Sequence, residues 1–204
     1  MNRPERAVMT NASNKKGKLV ILSGPSGVGK TSISREIIRR LGAYFSVSLT
    51  TRTIGAGEKD GVDYHFVSKE EFERALANNE LLEHACVFGN YYGTPRRPVE
   101  EALAAGRIAL LEIDVDGARQ VVRHFPDAIT IFILPPRLED LAKRLNARNR
   151  GEDEQARLKR LQRAQEEIAA AAREYKYRVV NDDLNKAIEE VIQIIQNETK
   201  KAGE

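Results

Sequence analysis

The sequence has a single cysteine, Cys86, so no disulfide can close within the chain, and a reducing cytoplasm is the expected setting. No apolar run approaches the roughly 18–20 residues that a membrane-spanning helix needs. The first residues include no apolar stretch of the secretory type, so no signal is expected there. Net charge is only +3, which argues little for nucleic acid, although local arginine clusters can still hold phosphates. Neither a membrane nor a nucleic acid is therefore an expected partner. What is present is ordinary for a soluble globular protein. Hydrophobic residues make up 41% and charged residues 31% of 204, too apolar for general disorder and enough to bury one sizeable core. Oligomeric state stays open.

Residues 1–16 are polar and aperiodic, and read as a flexible leader to one domain over 17–204. Leu19 to Leu22 reads as a buried strand, followed by a glycine-rich turn and a helix from about Lys30 to Leu41. Ser46 to Leu49 and Tyr64 to Val67 are short strand candidates. Ser68 with Glu71 makes a capping box for a helix through about Asn78. Leu81 to Phe88 is apolar, interrupted by Glu83 and His84, and Gly89-Asn90 turns it into Tyr91-Tyr92-Gly93. Beyond 107, strands at Ile108–Ile113, Ile129–Leu134 and Tyr177–Val180 alternate with helices at Asp116–His124, Arg137–Arg148, Gly151–Tyr175 and Leu184–Glu198. Such alternation predicts a mainly parallel sheet covered on both faces.

The run Gly24-Pro25-Ser26-Gly27-Val28-Gly29-Lys30-Thr31, with Ser32 after it, fits G-x-x-x-x-G-K-[ST] at every fixed position. Glycines let backbone N–H groups curl round phosphate oxygens, and the helix start adds its positive dipole. Lys30 is placed to neutralise the β- and γ-phosphates, and the Thr31 hydroxyl to ligate Mg²⁺. The loop predicts ATP or GTP binding and leaves the acceptor open.

Further along come Ser48-Leu-Thr-Thr-Arg52, Gly57-Glu58, Gly61, Asp63-Tyr64 and Phe66, then Glu83, Gly89-Asn-Tyr-Tyr-Gly-Thr94 and Leu111-Glu-Ile-Asp114. With the phosphate loop, these segments strongly resemble guanylate kinases, from about residue 17 to the terminal helix. The resemblance implies an α/β P-loop NTPase fold, its mainly parallel sheet flanked by helices. The core would take in about 17–49, 101–136 and 166–204, with a GMP-binding lobe at about 50–100 and a helical lid at about 137–165. It implies Mg-dependent transfer of the ATP γ-phosphoryl group to GMP, with dGMP also expected as acceptor, in purine nucleotide metabolism.

By the same resemblance, Arg52, Tyr64 and Tyr92 hold the GMP phosphate, and Ser48, Glu83, Thr94 and Asp114 read the guanine. The chemistry agrees. Guanine offers N1–H and a 2-amino group, two donors that one carboxylate accepts side by side, whereas adenine would face Glu83 with a lone pair. Glu112 and Asp114 end an apolar strand, where acidic groups commonly serve a Mg²⁺–phosphate site. The family pattern sets Glu112 nearer the metal and Asp114 nearer the base, with the exchange of the two left open. In the lid, Arg144, Arg148 and Arg160 match positions that close over ATP, and Asn181 matches a turn beside the adenine. Closure would exclude water as a competing acceptor.

Three departures stand out. Relatives commonly carry a second phosphate-binding arginine where this chain has Gly55. Asp116 stands where glutamine is common. The run Arg148-Asn-Arg150-Gly151 is one residue longer than usual, which leaves Arg148 and Arg150 interchangeable in alignment. Two other readings remain, a non-catalytic interaction module and a kinase for another phosphorylated acceptor. The complete loop opposes the first, and Glu83, Ser48 and Thr94 oppose the second.

Overall fold

The computed structural model describes residues 16–87, 89–141 and 154–201. Five strands, β1 (Lys18–Ser23), β2 (Tyr44–Phe45), β7 (Ile108–Glu112), β8 (Ile129–Leu134) and β9 (Tyr177–Val180), form one sheet in the order β2-β7-β1-β8-β9. Every pairing in it is parallel. Parallel neighbours need crossovers, and helices supply them on both faces. Alternation along β1 sends Leu19 and Ile21 to one face and Val20 and Leu22 to the other, all fully or almost fully buried. The first face packs under α3 (Arg96–Ala104), α4 (Val115–His124) and α5 (Glu154–Glu174) through Val99, Ala118, Val121 and Ala171. The second packs under α1 (Lys30–Leu41) and α6 (Leu184–Lys201) through Ile33, Ile37, Ile188, Val191 and Ile195. Each such aliphatic side chain contributes about 1.5–3 kcal/mol by burial, and Ile37→Ala would cost about 2–5 kcal/mol.

A second, smaller sheet is inserted between β2 and β7. It comprises β3 (Leu49–Thr50), β4 (His65–Phe66), β5 (Leu81–Val87) and β6 (Asn90–Pro95) in the order β4-β3-β6-β5. Here β5 and β6 are an antiparallel hairpin, and only β3 and β4 run parallel. Helix α2 (Lys69–Ala77) covers it with Phe72 and Ala75 against Leu81. Its expected capping box is formed. Glu71 N–H donates to Ser68 Oγ at 3.1 Å and Ser68 N–H to Glu71 Oε2 at 2.8 Å.

The expected strand at Ser46–Leu49 is instead divided between the two sheets. Ser46 N–H still donates to Leu110 O in the large sheet, whereas Ser48 O accepts from His65 N–H in the small one. The extended chain therefore serves each sheet in turn, with 46–48 as the passage. Helix α3 is not anticipated by the sequence reading. The expected helix from Arg137 begins within 138–141 and its remainder lies outside the described residues, as does the expected leader up to residue 15. Among the described residues no helix is long and apolar enough to cross a membrane.

Candidate active site

The turn from β1 into α1 is the glycine-rich loop. Helix α1 starts at Gly29 without a side-chain cap, whereas α2 and α4 are capped by Ser68 and Asp114. The first turn of α1 is thus left facing the loop, where an anion is favoured by the unsatisfied N–H groups and the dipole. Gly29 has φ 106°, and a Cβ there would meet Asn181 Nδ2 at 2.5 Å, so no other residue fits without displacing that amide. Asn181 is 4% exposed and donates from Nδ2 to Val28 O at 2.7 Å. It braces the loop from behind. Lys30 curls over the loop, donating to Gly24 O at 2.6 Å and to Pro25 O at 3.3 Å.

Glu112, at the carboxyl end of β7, reaches the same loop. Its carboxylate accepts from Thr31 Oγ1 at 3.3 Å and from Ser34 Oγ at 2.9 Å. Ser34 is three residues after Thr31 and shares its helix face, a spacing by which the sequence could have revealed it. Oxygen donors beside a phosphate loop suit Mg²⁺, which is held by one or two carboxylates together with substrate phosphates and water. Among the described residues no group of three or more His, Cys, Asp or Glu side chains could hold a metal alone.

Arg52, Tyr64 and Tyr92 come together beside the smaller sheet. The Arg52 guanidinium lies 5.6 Å from the ring centres of both Tyr64 and Phe66. The Tyr64 and Tyr92 rings meet edge to face at 5.7 Å. Burial pushes the Tyr64 phenol above its ordinary pKa, so it stays a neutral donor. Glu58 holds Arg52 in place, accepting from its Nη2 at 2.8 Å and from Gly55 N–H at 2.7 Å. Sequence reading assigns Glu58 no role. A Cβ on Gly55 would approach Glu58 Oε2 to 2.8 Å, the movable end of a flexible side chain.

Glu83 is 5% exposed, on β5, and its Oε1 accepts from Thr94 Oγ1 at 2.6 Å across the hairpin. Burial pushes its carboxyl up to about 7. The Thr94 hydrogen bond opposes that rise and the nearby Asp114 charge adds to it. Gly117 permits the approach, since a Cβ there would lie 2.6 Å from Glu83 Oε2. Asp114 caps α4 through Gly117 N–H at 2.8 Å and pairs with Arg163 at 2.6 Å. Gln120 ties α4 to β5, accepting from His84 N–H at 3.1 Å and donating to His84 O at 2.8 Å. Ser48 stands half-buried in the passage between the sheets.

The structure therefore brings together Lys30, Thr31 and Glu112 on one side and Arg52, Tyr64 and Tyr92 on another, with Glu83, Thr94 and Asp114 as a third group. Arg160 lies half-buried on α5, and Arg144, Arg148 and Arg150 lie outside the described residues. Sequence reading missed Ser34, Gln120, Arg163 and Glu167. Of these, Arg163 and Glu167 are an i,i+4 pair that marks a shared helix face.

A family model described as guanylate kinase matches residues 16–198. The chain is 51% identical over 185 residues to a guanylate kinase of Synechocystis sp., covering 90% of this chain and 95% of that protein. It is also 51% identical over 195 residues to one from Gloeobacter violaceus, covering 95% and 94%. Among solved structures, the guanylate kinase of Anaplasma phagocytophilum superposes with a TM-score of 0.75 at 35% identity, covering 91% of this chain and 88% of that one. Fold and sequence agree.

Proposed function

The chain belongs to the guanylate kinase family and catalyses phosphorylation of GMP by ATP, and we propose that the three groups of side chains in its cleft divide that reaction between them. Gly24 to Ser32 cradle the ATP phosphates, with Lys30 swinging from Gly24 O and Pro25 O onto the β- and γ-phosphates. Thr31 and Glu112 would hold Mg²⁺, which supplies charge neutralisation on the phosphates. Arg52, Tyr64 and Tyr92 grip the GMP phosphate and aim its oxygen at the γ-phosphorus. That oxygen is already anionic near pH 7, so no protein base has to remove a proton.

Glu83 accepts from guanine N1–H and the 2-amino group, with Thr94 and Ser48 hydroxyls and Asp114 around the base. The reading contacts base and phosphate rather than the sugar 2′-hydroxyl, so dGMP is also an acceptor. Residues 50–100 serve as the GMP-binding lobe. Residues 137–165 serve as a lid, from which Arg144, Arg148 and Arg160 stabilise the phosphoryl group in transit and exclude water. Asn181 acts on the ATP side through Val28 and Gly29. These substrates place the enzyme in purine nucleotide metabolism of the cytoplasm.

The observation that carries this reading is the buried Glu83–Thr94 pair beside Asp114, in a chain that also holds a complete phosphate loop. ADP release from Mg·ATP, measured with GMP, dGMP, AMP, CMP and UMP in turn, tests it. Formation of ADP with GMP and dGMP alone is expected. Equal stimulation by AMP would refute Glu83 as the guanine reader.

A further inference from the structure

Arg163 has no part in the reaction as described, yet it holds one of the guanine-side carboxylates. Its Nη2 donates to Asp114 Oδ2 at 2.6 Å and its Nε to Glu167 Oε1 at 3.1 Å. The other oxygen of Asp114, Oδ1, accepts from Gly117 N–H at 2.8 Å. Both oxygens are thus pinned, one from α4 and one from α5, and the plane of the carboxylate is set. The same place holds Glu83. A Cβ at Gly117 would lie 2.6 Å from Glu83 Oε2 and 3.4 Å from Asp114 Oδ1, so the two carboxylates converge over the first turn of α4.

The Watson–Crick edge of guanine carries three N–H hydrogens, one on N1 and two on the 2-amino group. Glu83 can accept the N1 hydrogen and one amino hydrogen with its two oxygens. The second amino hydrogen remains, and Asp114 is the neighbouring acceptor. We propose that Arg163 is a positioning residue for guanine recognition, holding the Asp114 carboxylate toward the 2-amino group; the inference rests on the guanine site described under the proposed function. A fixed acceptor discriminates better than one that swings, because less rotational freedom is lost on binding. Arginine suits the task, since its planar fork bridges Asp114 and Glu167 at once, which a single ammonium does less well. Glu167 is well placed to anchor it. Burial raises the Glu167 carboxyl, while Arg163 and then Lys30 pull it back down. The Arg163 and Asp114 side chains are 32% and 22% exposed, so solvent screens the pair and its effect is modest.

The test compares GMP with inosine monophosphate, which lacks the 2-amino group, in wild type, Arg163→Met and Arg163→Lys. KM for each nucleotide, KM for ATP, kcat and the thermal midpoint are measured. Arg163→Met is expected to raise KM for GMP about three- to tenfold while KM for inosine monophosphate, KM for ATP and kcat stay within about twofold. Arg163→Lys should recover part of the loss. An unchanged KM for GMP, or an equal rise for both nucleotides, would overturn the inference. Should Arg163→Met fold poorly, Arg163→Lys decides alone: a rise confined to GMP supports the role, and a loss shared with ATP removes it. A wild type that does not separate GMP from inosine monophosphate would refute the guanine site itself, whereas separation that Arg163→Met leaves untouched would refute only Arg163.

Discussion

The donor loop and the proposed acceptor lobe are built from different material. The loop is mostly backbone, with Lys30 and Thr31 as its principal reactive side chains, and it rises from a sheet that buries sixteen hydrophobic residues on each face. Among the described residues the smaller sheet has a core cluster of its own of only three buried residues, Phe72, Ala75 and Leu81, and the acceptor site proposed on it relies on side chains borne mostly on short strands and loops. A thin core opens locally at lower cost than a thick one. The comparison also explains Gly55. A side-chain site can lose one member and keep its geometry, because Glu58 still anchors Arg52 and caps the backbone at Gly55. A backbone site has no such latitude at Gly29.

Substitutions separate the two halves by what they damage. The largest effect is expected at Glu83→Gln, which loses charged acceptance of two guanine donors. kcat/KM for GMP should fall about 10²–10⁴-fold while the ATP parameters hold, checked by steady-state kinetics. Next comes Lys30→Met, which should lower kcat by about 10²–10³-fold with GMP binding intact, checked by single-turnover assay and GMP titration. Gly55→Arg sharpens the comparison in the other direction. Glu58 swings aside, a second guanidinium joins Arg52, and KM for GMP drops about tenfold.

The smallest effect is that of a single pH unit below neutrality. Glu83 must be ionised to accept from guanine, and burial sets its carboxyl at about 7 in the free protein. kcat/KM for GMP should therefore fall as pH drops below about 7, approaching tenfold per unit, and proton release should accompany GMP binding near that pH. The same raised carboxyl opposes folding: the group stabilises the folded state least above pH 7, and this penalty fades as pH falls toward the ordinary carboxylate range. Thermal midpoints across pH 5–8 in wild type and Glu83→Gln would show it as a difference in slope.

The α/β alternation and the loop were legible because both are local. β1 and β8 carry continuous apolar runs, Leu19–Leu22 and Ile131–Leu134, whose neighbours in the sheet need not be known, and the loop is eight consecutive residues. The residues proposed for the acceptor site were reached only through resemblance, since Arg52, Tyr64, Glu83, Tyr92 and Asp114 are scattered over some sixty residues and two sheets. Composition and spacing could not reveal that Ser46–Ser48 passes between sheets, because an extended chain looks alike in either. Helix α3 escaped because it follows β6 directly at Pro95 and buries little beyond Val99 and Ala102. Asn181 was expected beside adenine. One hydrogen of its amide goes to Val28 O, a contact made 153 residues away in sequence that no local pattern encodes.

The most direct test is equilibrium binding of GMP and of Mg·ATP, measured separately on wild type and Glu83→Gln. Separate construction of the two halves predicts that GMP affinity falls at least about 10²-fold while ATP affinity moves less than about twofold. Unchanged GMP affinity, or an equal loss of both ligands, would contradict it.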